Sequence, residues 1–387
     1  MFVFYPFNPN QPADADSFAN RREHLERIDQ RIVPSFQRHS SGVRNLAIVG
    51  PPGIGKTSLA NQLIVRCAAA DPPVLVVYIS ASLGYGSFFA FCHALVTDAI
   101  AQVAAREGIG SRAREELQRW NFSLRLPGFS ATRLTSTDPS PSSASELLRQ
   151  EFSRLSRDYL KPHGLGMALI LDDAHMLSVM EPHAMLILRA AFQDLHLMGG
   201  RIGLVITGPE SFFAQMRANA EPASRFFEHI RLEPFALSDL DDVIDRPLQR
   251  AGMSEQFVVR SDARTWLMDK TRGHPFFVTF ILQEWLDWSL RMEITQFDTV
   301  CAEETWPHVM RRLSQERFLA DWETASEQER DVLCDIVDAE SGLAASQAPH
   351  GNVLRRLVAK NLVERTRRGV YTVYHPLFGE FVSHIRQ

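Results

Sequence analysis

A chain of 387 residues with 45% hydrophobic residues is long enough for two or three domains, each with its own core. A net charge of only −5 excludes a globally basic nucleic-acid binder, so any basic surface has to be local. Four scattered cysteines, Cys67, Cys92, Cys301 and Cys334, form no C-x-x-C pair, and the thirteen histidines form no H-E-x-x-H pattern. The cysteines read as buried thiols in a reducing compartment, and no structural metal is expected. The start, Met1-Phe2-Val3-Phe4-Tyr5-Pro6, has no basic n-region, no later segment is expected to approach a membrane span, and the chain is expected to be cytoplasmic.

In chain order, the first strong element is the apolar run Leu46–Val49, a predicted strand. It leads into Gly50-Pro51-Pro52-Gly53-Ile54-Gly55-Lys56-Thr57 and then a helical stretch from Ser58 to Cys67. Strand, glycine-rich loop and helix together satisfy the G-x-x-x-x-G-K-[ST] pattern in the context it requires. Glycines let successive N–H groups converge on phosphates, and the helix N-terminus at Ser58 adds partial positive charge. Lys56 is expected to reach the β- and γ-phosphates, and Thr57 to hold Mg²⁺ through its hydroxyl. These residues predict binding of ATP or GTP.

A second strand is predicted at Val74–Ile79. Further on, Trp120-Asn121-Phe122-Ser123-Leu124-Arg125-Leu126 alternates, breaks at Pro127-Gly128 and resumes from Phe129 to Thr135. That spacing predicts a β-hairpin followed by a loop at Ser136–Ser143, an insertion spanning about residues 107–145. It is either a plain surface excursion or a partner contact.

Ala168–Leu171 then predicts a strand buried on both faces that ends in Asp172-Asp173. Ligands of open α/β sheets bind at such strand ends. Asp172 is expected to hold Mg²⁺ through water and Asp173 to orient or deprotonate the attacking water; alternatively, the pair caps a helix. Strands at Gly203–Ile206 and His229–Leu232 complete an alternating α/β domain over residues 44–235.

After Pro234 helical periodicity takes over, with Leu240, Val243, Ile244 and Leu248 on one face. Residues 236–324 read as a helical lid containing Arg272-Gly273-His274-Pro275, where Gly-x-Pro ends one helix and starts the next. In the final segment, 325–387, helices at Glu327–Asp338 and Val353–Lys360 precede two strands turning at Arg367-Arg368-Gly369, which suggests a winged helix.

Taken together, these motifs resemble an AAA+ type P-loop ATPase of the branch holding the origin-recognition initiators, the archaeal-type ATPases and the STAND switches. The resemblance covers nearly the whole chain. It implies a parallel-sheet P-loop domain with a helical lid and a C-terminal winged helix, and ATP in preference to GTP. Within residues 1–43, Phe18-Ala19-Asn20-Arg21-Arg22-Glu23 is similar to the segment that packs on adenine, with Arg21 in the pocket and Asn20 where Gly is common. Thr207 matches sensor 1. Arg225 matches the arginine finger offered to a neighbouring subunit, with Arg217 as competitor. Pro275 belongs to the lid element brought against the nucleotide, and Arg272 stands where sensor 2 could lie.

Two function classes follow from the resemblance. One is a DNA-associated ATPase whose C-terminal domain touches DNA, supported by Arg355, Arg356, Lys360, Arg365, Arg367 and Arg368 against Glu364 and Glu380. The other is a nucleotide-gated signalling or defence switch that controls a separate protein effector. Both imply homo-oligomers, a separate protein partner and no membrane. Basal turnover is expected to be slow, because Asp173 is one methylene shorter than the Glu of many fast ATPases.

Overall fold

A computed structural model of the chain describes residues 5–13, 18–37, 42–125, 141–339, 342–348, 351–367 and 369–386. The chain divides into two compact units. One comprises Arg21–Gly50 with Lys56–Leu232; the other comprises Met1–Asn20, Pro51–Gly55 and Glu233–Gln387.

The first unit is built on a five-stranded parallel sheet: β1 (Asn45–Val49), β2 (Leu75–Ser80), β3 (Met167–Asp172), β4 (Ile202–Gly208) and β5 (Phe227–Arg231). All five fall within two residues of the predicted strands. Spatial order is β2-β3-β4-β1-β5. Buried Asn45 fixes the start of β1 between its neighbours: its Oδ1 accepts Leu204 N–H at 2.8 Å and its Nδ2 donates to Phe226 O at 3.3 Å.

Residues alternate between the two sheet faces. Val77, Ile79, Leu169, Leu171, Leu204 and Ile206 meet the helices α2 (Phe88–Ala105), α4 (Pro141–Leu155) and α5 (Ala184–Leu197) in one apolar cluster. The opposite face is crossed by α1 (Lys56–Ala69). Buried Phe36, from the helical segment upstream of β1, lies so close to β4 that a Cβ on Gly203 would sit 2.0 Å from its ring. The same alternation aims Tyr78, Asp172 and Thr207, each next to a residue of the first cluster, to the α1 side.

Two expectations are corrected. The segment 120–125 is helical, the end of α3 (Ser111–Arg125), and not the first arm of a hairpin. Leu117, Trp120 and Leu124, spaced three and four apart, are the buried residues of this helix, so the local two-residue alternation was a coincidence within a longer helical period. Residues 126–140, with the expected turn and second arm, lie outside the described residues, and 141–143 of the expected loop begin α4. In addition, α2 is long and apolar enough by length and composition to cross a membrane. Its apolar face, including Phe91, Leu95, Ile100 and Val103, is buried in the core cluster. Of the thiols, Cys67 and Cys92 are buried, and burial pushes Cys67 up to about 12, while Cys301 and Cys334 are half-buried.

The second unit is mainly helical around its own apolar cluster, which includes Phe7, Trp285, Phe297, Phe318 and Phe378. Its helices are α6 (Leu240–Ala251), α7 (Ser261–Thr271), α8 (Pro275–Met292), α9 (Thr299–Leu313), α10 (Glu327–Asp338), α11 (Gly351–Ala359) and α12 (Pro376–Ile385). Near its end β6 (Leu343–Ala344), β7 (Val363–Arg367) and β8 (Val370–Val373) form an antiparallel sheet with β8 central. The start of α10 carries a reciprocal Ser326–Glu329 capping box. Glu329 is buried and also accepts from Arg356 Nε at 2.9 Å and Lys360 Nζ at 2.6 Å. Burial raises its pKa, but the bonds from Lys360 and Ser326 outweigh that and hold it down at about 2. Two of the six cations in the expected basic surface are thereby engaged inside the module.

Candidate functional site

In the order β2-β3-β4-β1-β5, strands β1 and β3 flank β4. The residues at the C-terminal ends of these three strands, and the first turn of α1 that follows β1, therefore converge. Lys56 and Thr57 open α1, Asp172 ends β3, and Thr207 lies one residue before the end of β4.

Asp172 is the centre of this cluster. It is 5% exposed, yet both carboxylate oxygens are satisfied. Thr57 Oγ1 donates to Oδ2 at 2.9 Å, and Tyr78 OH donates to the same oxygen at 2.5 Å. Thr207, fully buried, donates its hydroxyl to Oδ1. Hydroxyl donors to an ionised carboxylate are strong partners, which is how a buried charge is tolerated here. Burial first, and then the bond to Asp172, push the Tyr78 hydroxyl up, so it stays a proton donor.

Asp173 follows in the left-handed region, φ 53° and ψ 41°, a conformation that Asp adopts more readily than most residues. Its backbone N–H donates to Thr207 Oγ1 at 3.0 Å, so one threonine fixes both acidic residues. The alternative reading of the acidic pair as a helix cap is not met, because Asp173 makes no side-chain capping bond to the short 3-10 helix Ala174–Met176. Lys56 Nζ donates to Gly50 O at 3.1 Å. Burial lowers its pKa, and the charges of Asp173 and Asp172 pull the other way. His175, one turn on, is pushed down by burial, and its buried Nδ1 has no hydrogen-bond partner among the described residues.

The tip of the glycine-rich loop, Pro51–Gly55, packs within the second unit. His274 Nε2 donates to Pro52 O at 3.1 Å. A Cβ on Gly53, which has φ +78°, would meet His274 Cε1 and Phe276 Cβ at 3.0 Å. His274 is the middle residue of the Gly-x-Pro element, and Pro275 opens α8 in its first turn, as the sequence predicted. Gly273 is confined by contact: with φ +70°, its Cβ would lie 2.0 Å from Phe235 O. Arg272 ends α7 in the left-handed region. His375 Nε2 donates to Thr271 O at 2.9 Å, and burial pushes this imidazole down to about 4.

The remaining sequence-predicted residues lie elsewhere. Arg21, with φ 67°, precedes the helix Arg22–Arg27, next to Asn20 with φ 62°. Arg225 follows the short helix Glu221–Ser224, has a 77% exposed side chain and pairs with Glu221. Glu228, the partner expected from the sequence, is instead taken by Arg27 at 2.9 Å and by Arg44. Sequence reasoning missed Tyr78, whose place between Val77 and Ile79 marks only a strand, and His274, whose one signal is its position inside Gly-x-Pro.

The donor set suits magnesium. Among the described residues no group of three or more His, Cys, Asp or Glu could form an all-protein cage. A carboxylate and a threonine hydroxyl are hard oxygen donors of the kind that hold Mg²⁺ together with water and phosphate oxygens.

Residues 17–205 match the AAA ATPase domain family. Similar solved structures include a Walker-type ATPase of Pyrococcus abyssi, with a TM-score of 0.58 and 12% identity over 98% of this chain and 100% of that one. The ORC2 protein of Aeropyrum pernix, in ADPNP–ADP complexes, has a TM-score of 0.56 and 16% identity over 98% and 96%. The ORC1 protein of the same organism, solved in complex with DNA, has a TM-score of 0.54 and 15% identity over 98% and 96%. No curated protein matches.

Proposed function

We propose that the chain is an AAA+ type P-loop ATPase, an ATP-driven molecular switch that binds and hydrolyses ATP slowly and acts on DNA; the match of residues 17–205 to the AAA ATPase domain family supports this reading. The observation that carries the hydrolytic half is the convergence of Lys56, Thr57, Asp172, Asp173 and Thr207, with Thr207 tied to both acids. Backbone N–H groups of Gly50 to Gly55 and the helix start at Ser58 bind the phosphates, and Lys56 neutralises the β- and γ-phosphates. Thr57 and Asp172 would hold Mg²⁺, which would supply positive charge where negative charge develops on the phosphates. Asp173 orients the attacking water and takes up its proton, while Thr207 keeps the main chain beneath it in place. Arg21 and the lid residue Pro275 belong to the nucleotide pocket by family resemblance, which also gives the preference for adenine.

Asp173→Asn tests this half. Its amide can still hold a water but takes no proton, so ATP affinity should stay within about twofold while single-turnover hydrolysis falls by about 10²–10⁴. Unchanged turnover in Asp173→Asn would show that another group is the base.

The DNA half rests on the C-terminal module, 325–387, read as a winged helix following the lid, 236–324. Its helices, its antiparallel sheet and the fold likeness to an ORC1 protein solved in complex with DNA support this reading. Arg356 and Lys360 pair with Glu329, so the phosphate contacts are assigned to Arg355, Arg365, Arg367 and Arg368, the last of which lies outside the described residues. Binding should be largely sequence-independent. Reversing Arg367 and Arg368 to Glu should abolish it at ~200 mM salt, and removing two contacts should flatten the slope of log K against log salt by about 1.8. No duplex binding by wild type at ~50 mM salt would transfer the output to a protein partner. The switch is expected to act as a homo-oligomer and with a separate protein partner.

A further inference from the structure

Asp172 accepts three hydroxyl protons, and they are not equivalent. A carboxylate offers about four lone-pair positions, so three donors leave little room for a fourth partner. Thr207 is fully buried and also accepts the N–H of Asp173, which fixes it in place. Thr57 is itself the hydroxyl ligand that magnesium requires. Tyr78 is different. It stands on β2, the outermost strand of the sheet, and its residue is 40% exposed. It is two positions before Ser80, which pairs in register with Asp172, so the phenol reaches forward along the strand to arrive at Oδ2. It is the donor with open space to move into, and it occupies the same oxygen as Thr57.

We propose that Tyr78 is a latch on the cation site, holding Oδ2 of Asp172 with its hydroxyl until a magnesium-bound water takes that position. The inference rests on the ATPase reading and adds a positioning residue to it. In the unloaded site the phenol keeps the buried carboxylate satisfied and correctly turned. On loading it must give up a charge-assisted hydrogen bond, so the latch sets the magnesium concentration at which the site fills.

The test is a magnesium titration of ADP binding by calorimetry, with wild type and Tyr78→Phe, which retains the ring and removes only the hydroxyl. Half-saturation by magnesium should fall by about tenfold or more in Tyr78→Phe, the scale of one hydrogen bond to a charged group, while ADP affinity without magnesium stays the same. Adding magnesium to ADP-loaded wild type should also give a tyrosine difference absorbance that Tyr78→Phe lacks. An unchanged or increased magnesium requirement, with normal ADP binding, would overturn the latch alone. Failure of wild type to bind ADP or ATP at all would overturn the ATPase reading and the latch with it.

Discussion

Lys56→Ala should remove ATP binding from the range that calorimetry detects at micromolar protein, with the fold intact. Lys56 sits at the start of α1 with its ammonium on Gly50 O, between the loop backbone and two carboxylates, Asp172 and Asp173, whose fields it shares. Loss of a charge-assisted contact weakens binding by about 1.5–3 kcal/mol, or roughly 10- to 150-fold. The variant also leaves the two carboxylates facing the incoming phosphates without the cation that offset them, and this repulsion adds to the loss. The far-UV spectrum and melting profile should remain close to those of wild type, since Lys56 contributes no apolar burial to the core. Equal ATP affinity in wild type and Lys56→Ala would refute the assignment of this loop as a phosphate cradle.

How much of this was legible in the sequence depended on which physical signal a residue carries. The five strands were readable because a parallel sheet covered on both faces needs unbroken apolar runs, such as Met167–Leu171, and because the polar residues that end them, Asp172 and Thr207, break the run abruptly. The glycine-rich loop was readable because its backbone chemistry admits few residue types. The segment 120–125 was misread since a six-residue window holds too little of a helical period to compete with local alternation; the buried spacing of Leu117, Trp120 and Leu124 emerges only over the full helix. Charge counting also misled in the C-terminal module. Glu329 lies in a different element from Arg356 and Lys360, and only the fold brings a buried acid to those cations. Tyr78 illustrates the general limit: a tyrosine among valines and an isoleucine is an ordinary strand residue until register and pleat place its hydroxyl on a neighbouring strand's carboxylate.

Arg225→Ala should bind ATP as wild type does and yet hydrolyse it about 10³–10⁵ times more slowly, the range in which arginine fingers act on phosphoryl transfer. The expectation comes from the match of Ser224-Arg225-Phe226-Phe227, just before β5, to the finger position of the resembling ATPases, where the arginine meets the nucleotide of a neighbouring subunit. Its surroundings are compatible with that role. The guanidinium is exposed and pairs, among the described residues, with Glu221 one turn back, and a surface pair of this kind contributes about 0.2–1 kcal/mol, so it is readily exchanged for a phosphate. Glu228 does not restrain it, being occupied by Arg27 and Arg44. If sites are shared, a mixture of Arg225→Ala and Lys56→Ala should regain activity that neither has alone, because an intact Lys56 site on one subunit meets an intact Arg225 from the other. The same mixing with Arg217→Ala in place of Arg225→Ala separates the two candidate fingers, since only the true one complements. Sedimentation with a non-hydrolysable ATP analogue should show assembly in wild type. A strict monomer at every concentration, together with full activity of Arg225→Ala, would reject the finger and leave hydrolysis to the groups within one chain.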